Sequence, residues 1–371
     1  MNITEQERIA ARLDGCDPEE LEALKHRLRL LAPYLEDEDV QEVAINAPGG
    51  AWLWKSGNWS YFEQPDLTFD YLATLGRNLS TFTKKPFDRF NTSLSGHMPV
   101  TGERIEMTHP PTCPEQQHYL NVRKHSARSF PHESLVEMGY YSHVRHDFAF
   151  SIPEDQRKRF EQVLLDEERA LWQMASNGEW STFMKLAVES KQNIVVSGAT
   201  GSGKTSFLRS LVEFISPAER LITVEDTPEM PLPNNPNHNR LLYRKAAADG
   251  EKLEGATAKD VLHSAMRKTP ERVLMAELRG DEAMYYLSGI LASGHPGGLT
   301  TTHANSPKDA FFRLAMLIKQ SGTGGGIDLK DILMLLRQTV NVVVQLTFDR
   351  EKGRHIPAIY YDPMYRLSLL D

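Results

Sequence analysis

The second half of the chain alternates short β-rich apolar runs with helical patterns. The candidate buried strands are Asn193–Ser197, Leu221–Val224, Arg272–Ala276, Leu299–Thr302 and Val340–Leu346. Such alternation predicts a parallel sheet in an α/β domain. The first 135 residues read differently. A charged helical stretch, Asp17 to Leu31, precedes two segments with strand-like alternation, Val40 to Ala47 and Ala51 to Trp59. The turn residues Pro48-Gly49-Gly50 between them predict a hairpin. From Ser129 to Gly178 the pattern weakens at Pro131, Pro153 and many charges. It then gives one amphipathic helix, with Phe160, Val163, Leu164, Leu171 and Met174 on a shared face. The expected organisation is an amino-terminal mixed α/β domain at 1–135, a linker carrying a helix at 136–178, and an α/β domain at 179–371.

A length of 371 residues with 40% hydrophobic content is consistent with two cores. The formal net charge of −8 argues against a protein that coats nucleic acid, which needs a basic face to release counterions. No apolar run approaches the ~18 residues of a membrane span, and Met1 to Glu7 lacks the layout of a signal peptide. The expected location is the cytosol, or the cytosolic face of a membrane. The cysteines, Cys16 and Cys113, are too few and too far apart for a zinc ribbon or a disulfide framework, and read as reduced structural thiols.

The chemistry begins at Gly198-Ala199-Thr200-Gly201-Ser202-Gly203-Lys204-Thr205, which matches G-x-x-x-x-G-K-[ST]. Its glycines let backbone N–H groups turn inward around phosphate oxygens. Lys204 supplies a point charge for the β- and γ-phosphates, Thr205 a hydroxyl for Mg²⁺, and the helix that follows its positive dipole end. The context fits, because Ile194-Val195-Val196 precedes the loop as a strand and Ser206 to Val212 continues as a helix. A second signal is Leu221 to Glu229, where a hydrophobic strand runs into the carboxylates Glu225, Asp226 and Glu229. Carboxylates at this edge of an open α/β sheet lie where ligands bind. Arg272 to Gly280 repeats the strand-then-acid arrangement with Glu277, of the kind that places a carboxylate beside the phosphate loop. A fourth β-rich run, Leu299 to Thr302, ends in His303 and is preceded by Gly294-His295-Pro296-Gly297-Gly298.

In this order the motifs resemble the secretion-ATPase superfamily, which drives type II and type IV secretion and type IV pilus dynamics. The carriers are the phosphate loop, the acidic box Glu225 to Glu229, the Glu277-Leu278-Arg279-Gly280 box and the histidine box Gly294 to Asn305. The resemblance extends to Val40 to Pro48, Gly102 to Ile105 and Asn121 to Lys124, and is weakest at residues 136–175. Within the superfamily the chain looks like a type IV secretion traffic ATPase. Two Cys cannot supply the four-cysteine metal element of type II and pilus-extension motors, and no carboxyl-terminal retraction motif is found.

The resemblance implies a RecA-like P-loop ATPase domain with a smaller mixed α/β amino-terminal domain, using ATP and Mg²⁺. It implies a homohexamer, peripheral to the inner membrane, working with channel proteins and other secretion ATPases. By the same route Glu229 positions or deprotonates the attacking water, and Glu277 holds Mg²⁺ through water. Glu225, Asp226 and Arg279 belong to the nucleotide site, with Glu225 and Asp226 shaping the metal's surroundings. His303 senses the γ-phosphate, and Arg104 and Arg123 reach the nucleotide from the amino-terminal domain. The alternatives are a pilus or type II motor of the same superfamily, a RecA-like nucleic-acid translocase, or a non-catalytic nucleotide-binding regulator. A translocase would need a basic, aromatic-lined channel, and the regulator is disfavoured by the complete set of carboxylates.

Overall fold

In the computed structural model the described residues are 18–55, 57–98, 102–124, 130–148, 152–243, 255–322 and 324–369, so Cys16 and the start of the first helical stretch lie outside them. The chain divides into two compact units, Met1–Ala127 and Arg128–Asp371.

The first unit is a six-stranded sheet of order β3-β2-β1-β6-β5-β4. Its strands are β1 (Val40–Ile45), β2 (Gly50–Lys55), β3 (Asn58–Glu63), β4 (Ser93–His97), β5 (Arg104–Thr108) and β6 (Tyr119–Arg123). Every pairing is antiparallel. The hairpin expected around Pro48 is present as β1–β2, but the segment expected to be one strand over Ala51–Trp59 turns at Gly57, in the left-handed region at φ 86°, into β3. The two strands then pair, Trp54 opposite Trp59. One sheet face buries Val43, Ile45, Leu53, Ile105, Met107, Leu120 and Val122. The helix Phe69–Thr83 covers it with Leu72, Leu75 and Leu79, a spacing that keeps all three on one side. Thr68 Oγ1 starts that helix by accepting from Tyr71 N at 3.2 Å.

The second unit is built on an eight-stranded sheet of order β10-β9-β11-β12-β8-β13-β14-β7. Its strands are β7 (Arg145–Asp147), β8 (Ile194–Gly198), β9 (Leu221–Glu225), β10 (His238–Leu242), β11 (Arg272–Met275), β12 (Leu299–Thr302), β13 (Val342–Asp349) and β14 (Gly353–Tyr361). The stretch from β10 to β13 is parallel, as expected, and all five sequence-read strands lie in it within about three residues of their observed bounds. Both faces are covered. Ile194 and Val196 of β8 enter one core and Val195 the other, while Val342 and Val344 of β13 split from Val343 in the same way. Strands buried on both faces read as continuous apolar runs, which is why periodicity found them. The strands β10, β14 and β7 were not foreseen; β10 reads as the polar run His238-Asn239-Arg240, and β14 turns antiparallel onto β13 through a hairpin.

The segment 136–178, read above as a linker, belongs to this second unit. β7 pairs with β14, Tyr140 and Leu171 sit in the core, and Arg157 pairs with the buried Asp362 at 2.8 Å. Its one expected helix is two, Glu154–Gln162 and Asp166–Asn177. Val163 falls between them and is 63% exposed. The break follows from a helix start: Glu168 accepts from Leu165 N at 3.1 Å, and Asp166 and Glu167 add charge to the first turn. Cys113 is a free, buried thiol whose Sγ donates to Gln117 O at 3.2 Å. Among the described residues no helix is long and apolar enough to cross a membrane.

Two buried histidines make stability depend on pH. His118 is stacked between Phe69 and His109, and burial, with the charge of His109 second, pushes it down to about 4. Burial alone pushes His132 down to about 4. Both are neutral when folded and protonated when unfolded between pH ~4 and ~6.5, so the unfolded state binds more protons there. Their stabilisation is present above ~6.5 and lost as pH falls toward ~4, by about 2–3 kcal/mol for each. Urea unfolding should therefore show a clear drop in midpoint from pH 7.5 to pH 5. His118→Phe should lessen that drop; an unchanged slope would remove His118 from the account.

Candidate active site

β8 is the strand between β12 and β13, and its carboxyl end delivers the phosphate loop. A Cβ on Gly198 would stand 2.5 Å from Leu346 O and 2.6 Å from Ser202 Oγ, so only glycine allows the loop to leave the strand this closely. The helix Lys204–Val212 begins at the end of the loop. Ala199, Thr200 and Gly201 form an exposed crest, Ser202 is buried with its Oγ donating to Ala199 O at 2.9 Å, and Thr205 is the half-buried second residue of the helix. Lys204 is only 8% exposed and its Nζ donates to Gly198 O at 2.8 Å and Ala199 O at 2.9 Å.

From Lys204 a continuous chain of charged and polar groups runs along the ends of the next three strands, β12, β11 and β9. Lys204 Nζ lies 3.4 Å from His303 Nδ1, and His303 Nε2 lies 3.0 Å from Glu277 Oε1. Glu277 Oε2 accepts from Arg279 Nη2, and Arg279 Nη1 donates to Asp226 Oδ2 at 3.1 Å. The turn that presents Arg279 is held by Glu282, whose Oε1 accepts from Arg279 N at 2.6 Å and Gly280 N at 2.9 Å. Burial first, and then the charge of Lys204, hold His303 below the usual histidine range. The ring is thus a neutral donor and acceptor at neutral pH. The hydrogen bond from Arg279 to Glu277 raises the guanidinium well above its ordinary value, so it stays charged.

The acidic box separates into different tasks. Glu225 is fully buried and spends both carboxylate oxygens inside the protein. Thr223 Oγ1 donates at 2.7 Å, Glu229 N at 2.6 Å, Met230 N at 2.7 Å, and Arg240 Nε and Nη2 at 3.1 and 3.3 Å. A carboxylate offers about four lone-pair sites, so these contacts saturate it and make it a brace for the turn that carries Glu229. Sequence reading gave that carboxylate to the metal's surroundings; Arg240 from β10, unrecognised there as a strand, is its cation. Glu229 is half-buried, and its charge acts on Arg209 of the helix that follows the phosphate loop.

Arg104 and Arg123 belong to the first unit. They lie 19 residues apart in sequence and are direct register partners in the β5–β6 ladder. Ile105, Met107, Leu120 and Val122 alternate with them into the core, so both arginines stand on the opposite sheet face, beside Glu42 of β1.

Two further residues shape the phosphate loop and went unread in the sequence. Gln345 is buried inside β13, accepts from Ser197 Oγ just before the loop and donates to Ala304 O at 3.1 Å just after His303. Its signal is a polar residue within Val342 to Leu346. Arg354 of β14 donates from Nε to Gly201 O at 3.1 Å.

The donor set fits a divalent cation bound with phosphate. Glu277 Oε1 is buried and no donor hydrogen is directed at it among the described residues. Its neighbour is the His303 ring, with Nε2 at 3.0 Å, and a buried carboxylate oxygen that lacks a well-directed hydrogen bond is costly unless a cation or water takes it. Among the described residues no group of three or more His, Cys, Asp and Glu side chains could hold a metal ion, so Mg²⁺ here would draw most of its ligands from water and phosphate.

A family model described as "Type II/IV secretion system protein" matches residues 170–353. The type IV secretion system protein VirB11 of Brucella suis biovar 1 is 35% identical over 349 residues, spanning 94% of this chain and 92% of its own. The crystal structure of the VirB11 ATPase from the Brucella suis type IV secretion system, in complex with sulphate, matches with a TM-score of 0.51 and 33% identity, over 93% of this chain and 99% of that one. The Legionella pneumophila ATPase DotB matches at a TM-score of 0.54 and 14% identity, over 94% and 83% of the two chains.

Proposed function

Because this chain belongs to the VirB11-like type IV secretion ATPases, RecA-like enzymes that hydrolyse ATP, we propose that it is a homohexameric motor at the cytosolic face of the inner membrane. It would power conjugation or effector export with inner-membrane channel proteins and other secretion ATPases. The observation that supports this reading is the chain of contacts from Lys204 through His303 and Glu277 to Arg279 and Asp226. It ties the phosphate loop to the ends of neighbouring strands, so a change at the γ-phosphate is felt across the sheet edge.

In this mechanism the loop amides and Lys204 hold the β- and γ-phosphates, and Glu229 orients the attacking water. Phosphoryl transfer needs positioning and charge neutralisation more than covalent help. Thr205 and, through water, Glu277 would hold Mg²⁺, which neutralises charge between the β- and γ-phosphates when bound. His303, set between Lys204 and Glu277, senses the γ-phosphate through them and relays its loss on hydrolysis. Arg104 and Arg123 contact the γ-phosphate from the amino-terminal unit, and release of phosphate relaxes that grip.

Glu229→Gln tests the assignment of the water-orienting group. The amide keeps shape but loses the charge that polarises water, so turnover should fall on the order of a hundredfold with ATP affinity nearly unchanged. Equal loss of binding and turnover in a nucleotide titration would make Glu229 structural. Light scattering on the ATP-bound variant checks the ring: a monomer at every concentration would count against the hexamer.

A further inference from the structure

We propose that Arg354 is a positioning residue of the phosphate loop, setting affinity for ADP and ATP alike from the flank away from the γ-phosphate. The proposal rests on the nucleotide reading of the loop given above.

Lys204, His303 and Glu277 lie toward β12 and β11, on one side of β8. β14 lies on the other side, beyond β13. Arg354 is the register partner of Phe348 across the β13–β14 hairpin, and its guanidinium sits 5.5 Å over that ring. From this seat Nε reaches back to the crest and donates to Gly201 O at 3.1 Å.

The aliphatic stem closes over the next glycine. A Cβ on Gly203 would stand 3.0 Å from Arg354 Cδ and 3.2 Å from the Tyr140 hydroxyl, and Gly203 is in the left-handed region at φ 95°. Tyr140 is itself fixed, its carbonyl accepting from Ile356 N at 2.8 Å and its ring stacked on Phe207 at 6.4 Å. The loop is therefore held at Gly201 by Arg354 and at Gly203 by Arg354 and Tyr140 together.

The clamp has a direct bearing on phosphate. Glycine-rich backbone samples many conformations, and only some of them aim the amides inward. In a trans peptide the C=O and the following N–H point to opposite sides. The Arg354 guanidinium holds the Gly201 C=O and Ala199 O accepts from the Ser202 N–H at 3.3 Å, so the peptide between Gly201 and Ser202 is pinned at both ends and the loop's amides are kept in one arrangement. The bond acts before any γ-phosphate is distinguished. ADP and ATP should depend on it equally, unlike the contacts proposed for Arg104 and Arg123.

The test uses the full chain and three proteins, wild type, Arg354→Ala and Arg354→Lys. Each is titrated with ADP and with a non-hydrolysable ATP analogue, assayed for turnover, and unfolded thermally without nucleotide. Arg354→Ala should weaken both ligands by the same factor, on the order of tenfold, and raise KM similarly, with kcat within about twofold. Its unfolding midpoint should match wild type. Arg354→Lys keeps a cation and most of the stem but not the Nε donor, so it should fall between the two.

Unchanged ADP affinity in Arg354→Ala would overturn the proposal. So would weakening confined to the analogue, which would make Arg354 a γ-phosphate contact, or a fall in the unfolding midpoint that accounts for the lost binding. Wild-type protein that binds no ADP would instead sink the nucleotide reading on which the proposal stands.

Discussion

Lys204→Ala is expected to lose ATP hydrolysis by at least about a thousandfold, leaving turnover at the assay background. Electrostatic stabilisation of the transferring phosphoryl group is the largest contribution in this chemistry, and removing one well-placed donor already costs ~10²–10³ in rate. Lys204 is the loop's own cation, buried at the junction of strand and helix. Its neighbours cannot replace it. Arg279 has its Nη groups held by Glu277 and Asp226, and Arg354 is engaged at the crest on the opposite flank. The alanine also leaves Gly198 O and Ala199 O without that donor, so the comparison includes an unfolding midpoint and Lys204→Arg, which retains charge and donors but displaces them. Phosphate release measured over hours at enzyme excess decides the matter. Turnover near the wild-type rate in Lys204→Ala would show that the loop is not the catalytic phosphate site.

Arg123→Lys and Arg104→Lys are each expected to lower hydrolysis on the order of 10²–10³ while leaving ADP affinity within about twofold. An arginine finger is worth ~10³–10⁵, and lysine retains the charge but not the planar fork that matches phosphate oxygens in pairs. The β5–β6 register puts the two side chains opposite each other on one sheet face, a two-guanidinium surface suited to a group with several anionic oxygens. Glu42, the register partner of Arg123 in β1, gives that surface a carboxylate neighbour. Because ADP lacks the γ-phosphate, a contact made only there leaves ADP binding alone, and by linkage domain closure and ATP binding bias each other. Titrations with ADP and a non-hydrolysable ATP analogue separate the cases. Variants that weaken both ligands equally would remove these arginines from the γ-phosphate, and with them the domain-closure step of the motor.

The two sets of variants give opposite signatures on the same pair of ligands. Arg354→Ala should move ADP and the analogue together, whereas Arg104→Lys and Arg123→Lys should move the analogue alone.

What the sequence determined by itself was the phosphate loop and the strands buried on both faces, each encoded in one contiguous stretch. The loop Gly198 to Thr205 is legible because cradling a phosphate needs glycines and a lysine at fixed short spacing. The five core strands are legible because burial on both faces leaves an unbroken apolar run. Glu277, Asp226 and His303 were found at strand ends, and the sheet order alone brings their strands side by side, so the structure joins them into one network. Tertiary structure decided what depends on register between distant residues. Arg104 meets Arg123 only through the β5–β6 pairing, Gln345 reaches Ser197 across 148 residues, and Arg354 reaches Gly201 across 153. It also gave Glu225 to Arg240 and took the segment 136–178 into the ATPase core, where β7 finds β14 and Leu171 finds its packing partners. A polar side chain declares its type in the sequence, but its partner is set by strand pairing. Pairing is a property of the whole sheet, in which a shift of one residue would turn every side chain to the other face.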